Sequence, residues 1–407
     1  MANALLTPKV YATTALAMLT NNLVLARMVN QEYKKDFTKG VGSTVYVKRP
    51  PEFAIRTGAT VSIQDVLEGE TPVTIDQQKG VDFQFSDIEE ATTVDALLRN
   101  RAMNAAMETL AQEIDSAIAR RYVDFNNWVG TPGQEVNSFA DFALAPKRLD
   151  NGAIPSTNRF AILNPGDHWA LAANFSGLNA QTGVANDALQ KGRLPMIGGV
   201  DGYMSQSMPA HTTGTRTNGT VSGTATASTY ANVRSTMTQT LPLAGLGAAG
   251  TVKAGDVFTI AGVYAVNPRT KSQNEYLQQF TVTTDAVADG AGAATVTIAP
   301  ALITSGAYQN VSGTGAASAV VTWMGSANTV YSQSLVLRAD AITLASVRPN
   351  KPANGEFEFQ TDEASGITIR YWRFSDGTND LHTVRFDVLF GTATTDRRQG
   401  VRLSGTA

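Results

Sequence analysis

The sequence predicts an α+β protein that carries an all-β, barrel-like insertion. A strand pattern at residues 81–85 leads directly into the longest helical pattern of the chain, which runs to about Phe125. From about Thr212 to Val330 the composition changes to Thr, Ala, Gly, Ser and Val, and strand patterns alternate with glycine turns. After Val330 the earlier composition returns. This order is typical of a host domain that is interrupted by an inserted β domain.

The composition favours a protein that covers much of its surface with other subunits. The chain has 407 residues, which is enough for two or three domains. Charged residues make up only 16% of it, against roughly 25% in globular proteins. The formal net charge of −3 argues against a general nucleic-acid binder. Because the chain has no cysteine, disulfides, thiolate metal sites and cysteine nucleophiles are excluded.

The N-terminal segment predicts a helix followed by a basic linker. Thr7 and Pro8 are typical of an N-cap and a first helical residue, and the helical pattern continues to about Val29. Residues 30–42 are polar and basic. Two arrangements are open: the helix packs on its own domain, or it reaches onto a neighbouring subunit.

The first residues lack the features of a signal peptide, and no apolar run reaches the roughly 18 residues of a membrane span, so we expect a soluble chain made in the cytosol.

Residues 41–80 predict an extended β-loop. Thr44–Lys48 alternates as a strand and is stopped by Arg49-Pro50-Pro51, because proline cannot continue a ladder of hydrogen bonds. A second strand is expected at 71–76. Few long apolar residues lie in the loop. It therefore has little core of its own, and we expect it to lie on another surface.

The long helical pattern follows this loop. Ser86 and Glu89 form a capping-box pair, and apolar residues then recur at helical spacing over 94–125 without glycine or proline. A helix of that length measures about 48 Å. It is longer than a small domain is wide, so we interpret it as a beam to which other parts of the molecule are attached.

Further elements are expected along the rest of the chain. Strands are predicted at 159–165, 192–203, 255–264, 279–283, 294–298, 334–337, 367–374 and 383–391, and a short helix at 167–174. The glycine-separated strands of the insertion predict a small closed barrel. On the C-terminal strands Arg370, Arg373 and Arg385 alternate with aromatic residues. This pattern could contact nucleic acid, but ion pairs with carboxylates of other subunits explain it more economically.

No catalytic, cofactor-binding or metal-binding constellation is expected. His168, His211 and His382 lie far apart without metal-type spacing, and each is expected on the surface or in a loop. Residues 245–250 fit the GxGxxG dinucleotide pattern. The element that follows them is a strand, where a dinucleotide fold requires a helix. We therefore interpret them as a glycine-rich loop, and an enzyme has the least support among the function classes.

The order of these elements resembles that of a tailed-phage major capsid protein. The likeness covers nearly the whole chain and looks greatest toward podovirus coat proteins, which carry a β-barrel insertion on the HK-ninety-seven-type capsid fold. The segments that carry it are 45–50, 81–86, 110–115, 192–193, 255–263 and 385–391. The resemblance implies an N-terminal arm (1–40), an extended loop (41–80), a spine helix with the peripheral and first axial parts (81–211), the insertion (212–330) and a return to the host domain (331–407).

The resemblance also implies function and partners. The product would be an icosahedral shell around double-stranded DNA, built from pentamers and hexamers of the chain in the host bacterial cytoplasm. Scaffolding protein and portal would be partners, DNA would be held without sequence-specific binding, and no membrane, cofactor or catalysis would be involved. The shell would begin as a procapsid that expands on DNA packaging. A β-rich phage fibre, decoration or adhesin-type protein is the alternative, but it leaves the long helix and the loop unexplained.

Individual residues follow from this hypothesis. Met103 and Met107 stand beside small alanines, and methionine adapts to a contact that must shift. The candidates for subunit interfaces are Arg49, Phe53, Arg56, Met103, Met107, Arg370 and Arg373. The candidates for hinges of the arm and the loop are Gly40, Gly42 and Gly80.

Overall fold

The computed structural model describes residues 8–32, 43–56, 58–61, 63–86, 96–178, 194, 196–363 and 365–406. The chain divides into two compact units. The first comprises Met1–Val47, Pro72–Ala119 and Ile342–Ala393, and the second comprises Lys48–Thr71, Arg120–Ala341 and Thr394–Ala407. Each unit therefore combines segments that are distant in the sequence.

The helices and strands of the described ranges are as follows. The α-helices are α1 (Pro8–Asn22), α2 (Ala96–Ala119), α3 (Phe139–Asn151), α4 (Pro165–Leu178) and the single turn α5 (Tyr230–Val233). Short 3-10 segments lie at Leu25–Arg27, Arg120–Asp124, Ala339–Ala341 and Arg397–Gln399. The first strands are β1 (Thr44–Arg49), β2 (Gly69–Thr74), β3 (Gln77–Ser86), β4 (Asn127–Val129), β5 (Arg159–Leu163), β6 (Asp201–Met204), β7 (Ala210–Thr212), β8 (Gly219–Val221), β9 (Gln239–Ala244), β10 (Thr251–Val252) and β11 (Val257–Val266). The remaining strands are β12 (Gln273–Val282), β13 (Ala286–Val287), β14 (Ala294–Ala299), β15 (Val320–Trp323), β16 (Val330–Ser332), β17 (Ser334–Arg338), β18 (Ile342–Val347), β19 (Glu356–Thr361), β20 (Thr368–Asp376), β21 (Leu381–Thr394) and β22 (Gly400–Leu403).

The first unit is built on a sheet in the order β18-β21-β20-β19, with β3 paired along β21. Gly80 lies inside β3, opposite Asp387. A Cβ at this position would lie 2.5 Å from the Asp387 carboxylate and 2.6 Å from the carbonyl oxygen of Phe386. Gly80 therefore permits a close approach within a continuous ladder, and its role as a hinge stays a prediction. Gly40 and Gly42 lie outside the described residues.

Helix α1 packs against α2 and against β19 and β20 of its own chain. Its small and apolar residues Ala12, Ala15 and Leu19 are buried, and the Tyr11 ring stacks on Tyr371 with the centroids 5.7 Å apart. Of the two arrangements that the sequence left open, the structure shows the helix on its own domain.

Helix α2 buries one face along most of its length. The buried residues recur at helical spacing, as the sequence predicted: Met103, Met107, Leu110, Ile114 and Ile118. Asp115 lies on the same buried face, and its carboxylate accepts backbone N–H groups from Val24 (2.9 Å), Leu25 (3.1 Å) and Ala26 (3.2 Å). It thereby satisfies the donors at the start of a 3-10 turn. The proposed capping box lies at the edge of residues 87–95, which are outside the described ranges.

The host part of the second unit is a mixed sheet in the order β4-β22-β17-β5-β6. The β22–β4 and β5–β6 pairs are parallel, and the β17 pairs are antiparallel. Helix α3 begins at Ser138, whose hydroxyl accepts the N–H of Asp141 at 3.1 Å. The core contains Phe142 and Leu149 of this helix together with Ala161 and Val336 of the sheet. The α+β class predicted from the sequence is confirmed.

The inserted part of the second unit is a closed barrel in the order β11-β12-β14-β9-β8-β15. Its interior is filled by alternating strand residues, as a small barrel requires; they include Leu241, Leu243, Phe258, Ile260, Phe280, Val282, Val296, Ile298 and Val321. Phe258 packs against Phe280 and Trp323, with ring centroids 5.8 and 4.9 Å apart. Residues 245–250 connect β9 to β10 as a loop, in agreement with the sequence analysis.

The two connections between host and barrel are paired with each other. The chain leaves the host through β7 and returns through β16, and these strands form an antiparallel pair in which His211 faces Tyr331. Both ends of the insertion are therefore fixed at one place.

Candidate functional site

The first candidate surface is the end of the extended loop, residues 50–68, which we call the loop tip. Strands β1 and β2 form its stem. Five of its apolar side chains are exposed, with exposed fractions between 56% for Phe53 and 92% for Ile55; the others are Val61, Ile63 and Val66. Single exposed apolar residues are common on proteins, but a cluster of this size on one loop is typical of an interaction site.

The conformation of the loop tip is set by polar contacts. The side-chain amide of Gln64 accepts the N–H of Ala54 at 2.8 Å and donates to the Ala54 carbonyl at 2.7 Å. Arg56 donates to the carbonyl oxygens of Gly58 and, at 3.3 Å, of Thr60. Both side chains form hydrogen bonds with the backbone of the loop itself, so polar contacts and not an apolar core fix the loop that carries the exposed residues.

The base of the loop tip is fixed within the second unit. The Tyr308 hydroxyl donates to the Leu67 carbonyl at 2.6 Å and accepts the N–H of Glu52 at 3.0 Å. The Glu52 carboxylate lies 2.5 Å from Arg398, which also pairs with Asp396 at 3.0 Å. These contacts anchor both ends of the segment that carries the exposed apolar residues.

The second candidate is a buried cluster at the junction of host and barrel. His211 Nε2 lies 3.0 Å from the Asp256 carboxylate and its Nδ1 lies 3.0 Å from the Tyr122 hydroxyl. A carboxylate only accepts, so Nε2 carries the proton, and Nδ1 of the neutral ring accepts the Tyr122 O–H. Asp256 also accepts the backbone N–H of Gly214 (3.2 Å) and Lys253 (2.9 Å). The cluster thus joins the host residue Tyr122 to the first residues of the barrel.

Arg402 completes this cluster from strand β22. It is fully buried. Its Nε donates to Gln333 at 2.7 Å, and its Nη1 donates to the Gly255 carbonyl at 2.5 Å. The guanidinium carbon lies 4.0 Å from the Trp128 ring centroid. Burial lowers the pKa of Arg402 to about 9. Gly255 has φ of +92°, and a Cβ there would lie 2.9 Å from Val123, so only glycine fits where the barrel meets the host.

A side chain of the barrel also pairs with the host backbone. Gln279 of β12 accepts the N–H of Trp128 at 2.8 Å and donates to the Trp128 carbonyl at 2.7 Å. The Gln279 side-chain amide thereby makes the two hydrogen bonds with the β4 backbone that a neighbouring strand would make.

The expectation that His211 lies on the surface or in a loop is wrong, because the side chain is buried. Its hydrogen-bond partners are 45 and 89 residues away in the sequence, so no local pattern reveals them. His168 is buried as well.

We expect the second unit to lose stability as the pH falls below about 6.5 because of His211. Burial, the largest effect, lowers the pKa of His211 below its ordinary value of 6.5. The unfolded chain therefore binds the proton first, so the contribution is complete above 6.5 and declines as the pH falls from 6.5 toward the folded-state pKa. One proton changes the unfolding free energy by at most about 1.4 kcal/mol per pH unit.

The measurement is the free energy of unfolding of the wild type and of His211→Gln between pH 7.5 and pH 5 (chosen as about one to one and a half units on each side of 6.5). The difference between the two proteins should fall as the pH decreases, since all carboxylates are common to both. A constant difference across this interval would contradict the role of His211.

The structure places the predicted interface methionines inside their own chain. Met103 is 4% exposed and Met107 is fully buried. The side of α2 that stays exposed is polar and carries Arg101, Asn104 and Glu108. The adaptable methionine surface predicted for a neighbouring subunit thus faces the core, and that prediction does not fit the structure.

The predicted interface arginines are also engaged within the chain. Arg370 is buried and donates to Asp387, as does Arg385, whose Nε lies 2.8 Å from that carboxylate. The pair is intramolecular because adjacent strands β20 and β21 bring the residues together, which corrects the expected pairing between subunits.

Arg49 is half-buried and donates to the Arg234 carbonyl. Arg373 lies at the edge of an aromatic hollow in the first unit. Of the seven candidates, Phe53 has the most open apolar side chain.

Within the described ranges no group of three or more His, Asp or Glu side chains is placed to hold a metal ion. Among the helices of those ranges, none is both long and apolar enough to cross a membrane.

Comparisons with known proteins cover almost the whole chain. A family model described as "P22 coat protein - gene protein 5" matches residues 6–405. A "Major capsid protein" from Acyrthosiphon pisum secondary endosymbiont phage 1 is 21% identical over 389 residues, which cover 91% of this chain and 90% of that protein.

Solved structures give the same coverage at lower identity. A structure from Mycobacterium phage Che8 aligns with a TM-score of 0.50 and 14% identity over 93% of this chain and 90% of its own. The capsid of Ralstonia phage GP4 aligns with a TM-score of 0.46 and 8% identity over 93% and 88% of the two chains. The Che8 likeness concerns the fold alone.

Proposed function

Since this chain belongs to the P22 coat protein family, we propose that its loop tip is a contact through which each copy holds a neighbouring copy in a shell. The chain is a structural major capsid protein of a tailed bacteriophage with the HK-ninety-seven-type capsid fold, and it forms the shell of the virion. The observation that carries the proposal is the group of five exposed apolar side chains on the loop tip.

The energetics of such a contact favour a repeated assembly. Burial of apolar surface contributes about 25 cal/mol per Å², and the loop tip offers this surface already held in one conformation by Gln64 and Arg56. A segment that is ordered before binding loses less conformational entropy on association. Contacts of moderate strength, repeated around a closed lattice, then sum to a stable shell.

The assembly cycle is part of the same proposal. We place the copies in pentamers and hexamers that form in the host bacterial cytoplasm around a scaffolding protein, with a portal. The shell would expand when double-stranded DNA is packaged. Family membership supports this cycle, and the net charge of −3 gives the chain no general electrostatic attraction to the DNA backbone.

The test replaces two exposed apolar residues by charges, as Ile55→Asp with Ile63→Asp. The purified variant should keep the circular dichroism spectrum of the wild type, because neither side chain contributes to a core. It should fail to form shells when produced with the scaffolding protein, since the contact would bury two unpaired carboxylates. Electron microscopy and size-exclusion chromatography measure the yield of shells.

Two controls separate the contact from general effects of charge. Ile55→Leu with Ile63→Leu keeps the apolar area and should assemble like the wild type. Val287→Asp adds a charge at another exposed valine, on β13 of the barrel, and should assemble better than the double aspartate variant. Shells formed by the double aspartate variant at the wild-type yield would refute the proposed role of the loop tip.

A further inference from the structure

A cavity at the base of the loop tip contains an excess of positive charge. Its volume is about 100 Å³, and it lies within the second unit, where the start of the loop, helix α3, strand β12 and the last residues of the chain meet. Four arginines line it against two carboxylates, Glu52 and Asp396. The wall of this partly open cavity therefore carries more positive than negative side chains.

Two of these arginines already have their own carboxylates. Arg398 pairs with Glu52 at 2.5 Å and with Asp396 at 3.0 Å. Arg397 pairs with Asp124, with the two charged atoms 3.1 Å apart. These pairs account for both carboxylates of the cavity wall.

The other two arginines, Arg49 and Arg148, form no direct ion pair with a carboxylate within the described ranges, although Arg49 is near enough to Asp396 to help lower the pKa of that carboxyl. Arg49 donates to the Arg234 carbonyl, and its Nε has no hydrogen-bond partner there. Arg148 of α3 stacks on Tyr276, with the guanidinium carbon 3.7 Å from the ring centroid, and its Nη1 also has no partner there. Burial lowers the pKa of Arg148, with only partial compensation from Tyr276. Both residues are half-buried, but these two nitrogen atoms are themselves buried, and a buried guanidinium nitrogen normally has an acceptor.

We infer that this cavity binds one small oxyanion of the phosphate class between Arg49 and Arg148. A water molecule needs roughly 10–15 Å³ of such volume, and drug-sized ligands occupy roughly 300–1,000 Å³. The cavity lies between these two volumes, which fits a tetrahedral ion with a few waters. Oxyanions accept several charge-assisted hydrogen bonds from arginine. The ion would tie the start of the loop to helix α3.

The oxyanion site does not depend on the proposed contact of the loop tip with a neighbour. It concerns a single chain and can be measured before any shell forms. Failure of one proposal therefore leaves the other intact.

The test is calorimetric titration of the purified full-length protein with inorganic phosphate, against sodium chloride at matched ionic strength and pH. We expect saturable binding of one phosphate per chain and a rise in the unfolding temperature that chloride does not reproduce. Arg148→Met keeps an apolar stem on Tyr276 but removes the charge, and should weaken phosphate binding at least about tenfold. The matched control Arg269→Met removes the same charge at an exposed residue and should bind like the wild type.

Two further measurements distinguish the alternatives. A short oligonucleotide carries only phosphodiesters and should not displace phosphate; displacement would mean that the site accepts the nucleic-acid backbone and would overturn the assignment to a free ion. Should Arg148→Met fail to fold, the wild-type titration decides alone. An absence of saturable heat, or a high-resolution density map from phosphate buffer that shows only ordered water in the cavity, would overturn the inference.

Discussion

Arg402→Met is expected to lower the free energy of unfolding of the second unit by about 3–5 kcal/mol. Arg402 is fully buried and donates to Gln333 and to the Gly255 carbonyl. Methionine has a similar volume and keeps apolar contact with Trp128, but it leaves both acceptors without a donor. Each unsatisfied buried acceptor costs about 1–3 kcal/mol. The nearby Asp256 also loses one of the cations around it.

Denaturant unfolding of the full-length protein, followed by tryptophan fluorescence, measures this loss. Trp128 lies in the cluster itself, so its share of the emission of the four tryptophans reports on the junction. Arg269→Met removes the same charge at an exposed position and should change the free energy by at most about 0.5 kcal/mol. A loss below about 1 kcal/mol for Arg402→Met would show that the hydrogen bonds contribute little.

Arg402→Lys tests how much of the effect depends on the guanidinium. A lysine ammonium has three donors at one point, whereas the guanidinium spreads five donors over a planar fork. Gln333 and Gly255 receive bonds from different nitrogens of the fork, so lysine can satisfy only one of them well. We expect a stability between those of the wild type and the methionine variant. Equality with the wild type would indicate that charge alone matters.

Period and composition predicted the parts of the fold that are regular over many residues. Helix α2 and three of the six barrel strands, β11, β12 and β14, follow from apolar spacing and from glycine turns, whereas β8, β9 and β15 were missed. Helix α3 was missed, because Pro146 lies inside it and proline indicates a break in a helical pattern. Strands β18 and β19 were missed as well. Their place in the sheet depends on pairing with distant strands, which local sequence does not show.

For the candidate site residues, the sequence indicated exposure of the loop but did not indicate partners within the chain. Exposure of Phe53 and the neighbouring loop residues agrees with a loop that lacks its own core. The arginines and methionines chosen for interfaces are engaged within the chain, because one face of a strand or helix can point to the core as well as to a neighbour. Arg370 and Asp387 lie opposite each other on paired strands, and register is a tertiary property. The junction of His211, Asp256 and Arg402 joins residues from three distant parts of the chain.

The second large effect is expected for Asp115→Ala, which should lower the free energy of unfolding of the first unit by about 2–4 kcal/mol. Its carboxylate accepts three backbone N–H groups, from Val24, Leu25 and Ala26. Alanine leaves these donors without a partner at the point where the N-terminal segment meets α2. Burial raises the pKa of Asp115, so the charged carboxylate is itself destabilised in the folded wild type. Removal of this carboxylate therefore offsets part of the stability that is lost with the three hydrogen bonds.

Hydrogen exchange locates the effect, and denaturant unfolding measures it. The amides of Val24, Leu25 and Ala26 should exchange much faster in Asp115→Ala than in the wild type. Glu113→Ala is the matched control on the same helix. Glu113 forms a partly exposed pair with Lys79 at 2.9 Å, and its loss should cost at most about 1 kcal/mol. Unchanged exchange at these three amides in Asp115→Ala would contradict the anchoring role.

Asp115→Asn separates hydrogen bonding from charge. The amide keeps one acceptor oxygen but not the second, so it should be less stable than the wild type and more stable than alanine. Because the folded-state pKa of Asp115 is raised above its ordinary value of 3.8, the wild type gains stability from this group below 3.8 and loses it as the pH rises through the folded-state pKa. The stability difference between wild type and Asp115→Asn should therefore be largest in acid and shrink toward neutral pH. A difference that grows with pH would show that the three N–H groups outweigh burial, and the carboxylate would then anchor the N-terminal segment through its charge.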